Sequence, residues 1–305
     1  MGANDTANCI GTTVGCGLLN FRRGVILVGI FAFMGSVLGG HKVMHTLGTG
    51  IVKTDLSISA LIIALVCSGI FVTIATFRRL PVSTAQTIVG GIVGIGLAVR
   101  AEIDYSWFLT IAGSWLICPL LSLTLAFALV HLISFVTSRL KINPIMIKNS
   151  LGWMAIFSSC YVAYGLGANN VGVAVGPIAN LGRFSPGFLL ALGGLAIAVG
   201  AATYGKRVAY TVGKDITPLG IPEALAAQIS SAFGLHLFAM FGIPVSSSAA
   251  IVGAVIGAGL INGVQSISRK IIITILLGWV LTPFCAACAS FFLYRLLIFF
   301  LPLGG

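Results

Sequence analysis

An all-α fold is what this chain predicts: a polytopic bundle of transmembrane helices built from two inverted-topology repeats, with half-helices embedded in the membrane. Three observations lead there. The 305 residues are 58% hydrophobic and only 8% charged, whereas a soluble globular chain carries about 25% charged residues. Apolar runs long enough to span a bilayer, about 20 residues each, recur from end to end. Separated sequence landmarks also recur at nearly one displacement, the mark of an internal duplication.

In chain order the apolar runs occupy 24–39, 56–76, 106–136, 151–166, 186–204, 226–241 and 271–301. No soluble domain fits between them. Several of the 39 glycines stand in small-xxx-small spacing, such as Gly90 with Gly94 and Gly253 with Gly257, which lets membrane helices approach closely. The net charge of +11 is dispersed over short connections, among them Arg22, Arg23, Arg78, Arg79, Arg139, Lys141, Lys148, Lys206, Arg207, Arg269 and Lys270. That scatter is the pattern of topogenic anchoring, not of a nucleic-acid partner, although the same cations also concentrate anions near a pore mouth. The seven cysteines fall in apolar segments and act as small hydrophobes. Cys285 and Cys288 form a CxxC, but without a βαβ context or a second ligand pair the redox and zinc readings are weak.

The duplication is legible residue by residue. Gly2-Ala3-Asn4-Asp5 returns as Gly167-Ala168-Asn169-Asn170 after 165 residues, and Pro81-Val82-Ser83-Thr84 returns as Pro244-Val245-Ser246-Ser247 after 163. Trp115 and Pro119 return as Trp279 and Pro283 after 164 residues. Residues 1–140 form the first repeat and 141–305 the second. In the second repeat an apolar run, 151–166, leads into the Gly-Ala-Asn element, whereas the first repeat begins at Met1; either the chain starts inside the element or a preceding half-helix of the first repeat is missing here, and the second is the expectation. If each complete repeat crosses the bilayer an odd number of times, the copies lie in opposite orientations, an arrangement of many secondary transporters.

Asp5 is the one carboxylate placed at membrane depth, because Asp55, Glu102, Asp104, Asp215 and Glu223 are expected in polar connections. An intramembrane acid is a functional candidate. Helical spacing puts Asn8 and Thr12 on the same face as Asp5, a stripe of oxygen ligands suited to Na⁺, with the lone carboxylate also suited to a proton. The bland alternative is a cap followed by satisfied core polar groups. The second element, 80–87, places a proline and small hydroxyl residues before a Gly-rich apolar run, which is how a helix starts; its counterpart is 243–248. A helix that begins inside the membrane presents unpaired N–H groups and the positive end of its dipole to an anion. Ordinary caps at a membrane surface are the alternative, most readily for the first element, which follows Arg78 and Arg79. The histidines say less: His236 could relay protons, but a lone membrane histidine more often bonds a neighbouring helix.

These motifs resemble those of the inorganic phosphate transporter family, the PiT permeases, whose halves each carry a Gly-Ala-Asn-Asp-x-Ala-Asn-x-x-Gly signature and a Pro-x-Ser-Thr/Ser element. Residues 2–11 match the first signature closely, and the likeness covers nearly the whole chain. The resemblance implies an inverted-repeat bundle and ion-coupled uptake of inorganic phosphate, with sulfate permeases among the relatives. It implies substrate contacts at Asn4, Asn8, Ser83, Thr84, Gln86, Asn169, Asn170, Ser246, Ser247 and Ser248. It implies coupling-ion contacts at Asp5, Asn8, Thr12 and Asn169, with sodium at Asp5. The second signature departs from the pattern: Asn170 replaces Asp and Val173 replaces the second Asn. Fewer oxygen ligands put a full set of Na⁺ sites in doubt and make proton coupling through Asp5 more credible. Hydrogen phosphate carries a P–OH donor and gains from an acceptor, whereas sulfate needs donors only, so phosphate is the leading substrate and sulfate the alternative.

The resulting expectation is an ion-coupled symporter in the plasma membrane, in contact with the lipid bilayer and without an enzymatic cofactor, with a homodimer as the assembly to test for. An anion channel would not need duplicated occluding elements. A membrane enzyme would need a convergent acid, base and nucleophile, which these residues do not supply.

Overall fold

The structure, a computed structural model, describes residues 1–49, 51–54 and 56–300, and Asp55 falls outside them. Thirteen α-helices follow one another among the described residues: α1 (Gly2–Gly15), α2 (Phe21–Gly39), α3 (His41–Thr49), α4 (Ile58–Phe77), α5 (Thr84–Ala98), α6 (Tyr105–Arg139), α7 (Pro144–Leu166), α8 (Gly172–Ala179), α9 (Pro186–Ala201), α10 (Lys206–Tyr210), α11 (Ile221–Met240), α12 (Ser247–Gly259) and α13 (Arg269–Phe300). The only β pairing among them is the isolated bridge between Val52 and Ile103.

Among the described residues, five helical segments are long and apolar enough to cross a membrane: α2, α4, α6, the continuous stretch Pro144–Ala179, and α13. A sixth is the pair Pro186–Ala201 and Lys206–Asp215, bent by 75° at its break. These cover every expected apolar run except 226–241, which forms α11, a mostly buried helix carrying Gln228, Ser230 and Ser231. The two helices that follow the Pro-Val elements are shorter, with 15 residues in α5 and 13 in α12. At about 1.5 Å per residue neither spans a bilayer of about 30 Å, which is the geometry of half-helices. Glu223 departs from expectation. It lies in the first turn of α11, half-buried, where a carboxylate suits the positive end of the helix dipole; Glu102 is in the expected exposed connection, 3.1 Å from Lys53.

The repeats interlock. α5 packs on α13 and α12 on α6; α1 packs on α10 and α8 on α3; α2 and α9 pack on each other. The α5–α13 and α12–α6 contacts, and likewise α1–α10 and α8–α3, thus form pairs in which the repeats exchange places. The 140/141 division falls in the connection between α6 and α7, yet each half-helix is buried against the long helix of the other repeat. Backbone closeness explains the glycines there. A methyl group at Gly90 or Gly94 would run into the carbonyl oxygens of Pro283 or Ala287, and one at Gly253 or Gly257 into those of Pro119 or Leu123. Each proline removes a backbone donor inside its helix.

This packing sets a stability test. Gly94→Val and Gly257→Val should each destabilise the detergent-solubilised protein by about 1–3 kcal/mol, the usual range for overpacking. Gly69→Ala and Gly113→Ala, whose added methyls meet nothing within 4 Å, should leave the thermal midpoint unchanged. Equal midpoints across all four variants would contradict the interlocked packing.

Candidate functional site

Two short extended segments, one before each half-helix, interrupt helical structure inside the bundle. Val82 and Val245 at their centres are 1% and 0% exposed, so neither is a surface cap. Buried backbone groups of such a break need partners. Asn4 supplies them in the first repeat: its Oδ1 accepts from the Val82 N–H at 3.2 Å and its Nδ2 donates to the Leu80 carbonyl at 2.9 Å. Asn169 does the same in the second, accepting from the Val245 N–H at 3.1 Å and donating to the Val245 carbonyl at 2.8 Å. The duplicated Asn of the Gly-Ala-Asn motif is therefore a clamp on the duplicated Pro-Val turn. Side chains of the opposite repeat hold the adjoining carbonyls, with the Trp279 indole donating to Pro81 and the Ser114 hydroxyl to Pro244.

Ser83 and Ser246 then start the half-helices, their hydroxyls accepting from the N–H groups of Gln86 and Ala249 at 3.2 and 3.0 Å, which is the N-cap arrangement. The next residues, Thr84 on α5 and Ser247 on α12, converge on Asn170. Its Nδ2 lies 2.8 Å from Thr84 Oγ1 and 3.5 Å from Ser247 Oγ, and donates to Asp5 Oδ2 at 3.0 Å. Thr84 Oγ1 is 3.2 Å from both Asp5 oxygens. The Asp5 carboxylate thus sits, fully buried, between two half-helix starts and opposite its own repeat counterpart. Asn169 completes the arrangement by donating to Asn170 Oδ1 at 2.7 Å, which turns the Asn170 Nδ2 toward Asp5. Residues 167–171 form one turn of π-helix between α7 and α8, a local widening often found at functional positions.

Asn8 closes the other side. Its Nδ2 donates to Ser248 Oγ at 2.9 Å and Ser247 Oγ at 3.3 Å, and Ser248 in turn donates to the Val82 carbonyl at 2.7 Å. Asn8 Oδ1 is buried and has no protein partner, so it is an unused acceptor on the residue whose Nδ2 binds these hydroxyls. The centre therefore consists of Asp5, Asn8, Thr84, Asn170, Ser247 and Ser248, flanked by the first amides of α5 and α12. Both helix starts and the Asp5 carboxylate are buried, so groups suited to an anion and oxygens suited to a cation lie in one hydrogen-bonded cluster.

The remaining candidates lie elsewhere. Thr12 is held by Gln228, whose Nε2 also donates to the Cys9 carbonyl. Gln86 stands one turn before Gly90, on the face of α5 that packs against α13, and its Oε1 is buried without a partner. Gln228 is a contact that the motifs do not reveal; a glutamine inside an apolar run is the available signal, since a buried amide there must find partners. Among the described residues no group of three or more His, Cys, Asp or Glu side chains could hold a metal ion. A Na⁺ ion here would rest on one carboxylate with amide and hydroxyl oxygens.

The profile of the family described as "Phosphate transporter family" matches residues 1–290. Proteins named "Putative phosphate permease" in Thermococcus kodakarensis and Pyrococcus furiosus are 29% and 30% identical to this chain, each alignment covering 98% of it and 94% or 93% of the relative. A solved structure described as "The sodium-dependent phosphate transporter" superposes with a TM-score of 0.88 at 26% identity, over 98% of this chain and 96% of the other. The fold and the likeness are those of a transporter, and the apolar helices make the chain an integral membrane protein.

The clamp geometry yields its own expectation. Asn4→Leu or Asn169→Leu strands a buried N–H and a carbonyl, which should cost about 1–3 kcal/mol per group and lower the thermal midpoint of the purified protein. Asn8→Leu, which strands no backbone group, should lower it less. A midpoint order with Asn8→Leu lowest would remove the clamp reading.

Proposed function

The chain belongs to the phosphate transporter family, and on that premise we propose that it is a secondary active symporter carrying inorganic phosphate across the plasma membrane. The observation behind this reading is the convergence of Asp5, Thr84 and Ser247 on Asn170. One closed site offers hydroxyl, amide and helix-start donors to an oxyanion and a carboxylate to a cation. Burial of such a site makes the two co-solutes depend on each other. A bare carboxylate at membrane depth costs at least about 2.5–3.5 kcal/mol, and a dianion adds to that cost unless cations enter with it.

Na⁺ is the leading coupling ion in this reading. Its support is the sodium dependence named for the solved transporter of the same fold and the unpartnered oxygen of Asn8 in the Asp5 centre. A proton on Asp5 is the alternative. The phosphate would sit between the amides that open α5 and α12, with Thr84, Ser247 and Ser248 donating and Asn8 Oδ1 accepting from P–OH. Ser83 and Ser246 would act by fixing the helix starts, and Asn4 and Asn169 by holding the turns before them. Sulfate is a second reading, favoured by one observation: at the place where the first repeat has Asp5 the second has Asn170, so donors outnumber acceptors around the centre. The interlocked repeats, 1–140 and 141–305, would lie in opposite orientations and rock about this centre.

Uptake of labelled phosphate and labelled sulfate into proteoliposomes, under imposed Na⁺ and proton gradients, tests the reading. Gradient-driven phosphate accumulation should appear and should be lost in Asp5→Asn; accumulation of sulfate alone would transfer the chain to the second reading, and accumulation of neither by folded protein would end both. A further variant addresses the count of coupled cations. Two carboxylates about 3 Å apart cannot both ionise without a cation between them, so Asn170→Asp should steepen the cation dependence of uptake by roughly one Hill unit, while an unchanged slope would separate Asn170 from the cation site.

A further inference from the structure

Outside this centre, α2 and α7 make a second feature of the fold. They meet where Gly35 lies against the Tyr164 backbone and Gly39 against its ring, and toward their N-termini they part. The opening is a cleft of about 800 Å³, walled by Leu27 and Phe31 of α2 and Ile156 and Phe157 of α7. It faces outward, where Trp153 and Phe157 are 63% and 68% exposed. Its polar end carries Arg23 and Lys148, and no carboxylate stands among its lining residues. Both helix N-termini lie at that same end, so two side-chain cations and two helix dipoles act there together.

We propose that this cleft binds one anionic phospholipid, its headgroup phosphate on Arg23 and Lys148 and an acyl chain along the apolar walls. The dimensions agree with the assignment. From Arg23 to Phe31 the wall runs about 12 Å, and from Lys148 to Cys160 about 18 Å, at about 1.5 Å per residue. One leaflet of hydrocarbon is about 15 Å deep. A tail entering from the headgroup side would therefore reach the closed apex near the bilayer centre. The charge pattern selects the headgroup, because basic side chains between membrane helices attract anionic lipids, whereas a zwitterionic headgroup would bring a cation against two others. The lipid would buttress α7, whose Ser159 hydroxyl lies 3.3 Å from that of Thr13 on α1, the helix that carries Asp5.

Native mass spectrometry of the purified full chain, titrated with phosphatidylglycerol or with phosphatidylcholine of the same acyl chains, tests this. Wild-type protein should retain phosphatidylglycerol in preference to phosphatidylcholine. The double variant R23A/K148A should bind it about 30-fold more weakly, as expected for two cations near a membrane surface. Ile156→Trp should block retention by filling the tail end, and the basic pair K206A/R207A, away from the cleft, should retain it. Equal retention by R23A/K148A and wild type would overturn the proposal. So would displacement of the lipid by inorganic phosphate at matched concentration, which would mark an anion site without a tail. Doubling of the mass with loss of the dimer in Ile156→Trp would also overturn it, since a second copy would then cover the cleft.

Discussion

The amide-to-backbone contacts of Asn4 and Asn169 underlie everything else in this molecule. A chain inside a bilayer has no water to satisfy a broken helix, and each unsatisfied backbone group there costs several kcal/mol. Buried breaks nevertheless occur at Val82 and Val245, and each is tolerated because one asparagine supplies a donor and an acceptor at once. With the turns held, the half-helices can start inside the bundle. With the starts inside, their first amides and hydroxyls can face Asp5. If either clamp failed, the helix start would have no defined direction.

The duplication explains the economy of this arrangement. Four structural devices occur twice: the asparagine clamp, the serine cap, the glycine pair that admits a long helix, and the side-chain donor to the proline carbonyl. Chemistry is where the copies differ. Asp5 faces Asn170, so one charge and one amide occupy positions that the scaffold treats alike. That pair is hydrogen-bonded, and the scaffold needs no compensation for the difference. The chemical asymmetry of Asp5 and Asn170 therefore sits on a backbone frame that both repeats share in outline.

Much of the fold is readable in the residues because membrane insertion imposes simple rules. Runs of about 20 apolar residues must be helices, and glycines four apart must mark close contacts; the spans and the Gly90, Gly94, Gly253 and Gly257 contacts follow from these. Readable too is the repetition that singles out Asn4, Asp5, Asn169 and Asn170. Their division of labour is not. Asn4 and Asp5 are neighbours in the chain, yet one reaches a backbone turn and the other a hydroxyl on α5, because successive residues of a helix point about 100° apart. Gln86 follows Thr84 by two residues, and the same rotation puts it on the face of α5 that carries Gly90. Gln228 is invisible as a partner because 216 residues separate it from Thr12.

Composition, periodicity and self-similarity are local properties or nearly so, and they suffice for the class of molecule, the placement of most membrane helices and the duplication. Other features exist only once the chain is folded. Each half-helix packs against the long helix of the opposite repeat, the two Pro-Val turns are clamped by side chains from their own repeat, and Asp5 meets Asn170. The last of these joins residues 165 positions apart, and Ser248 reaches the Val82 carbonyl across 166; no local pattern encodes such pairings. They arise because buried polar groups in a hydrocarbon surrounding have to find each other.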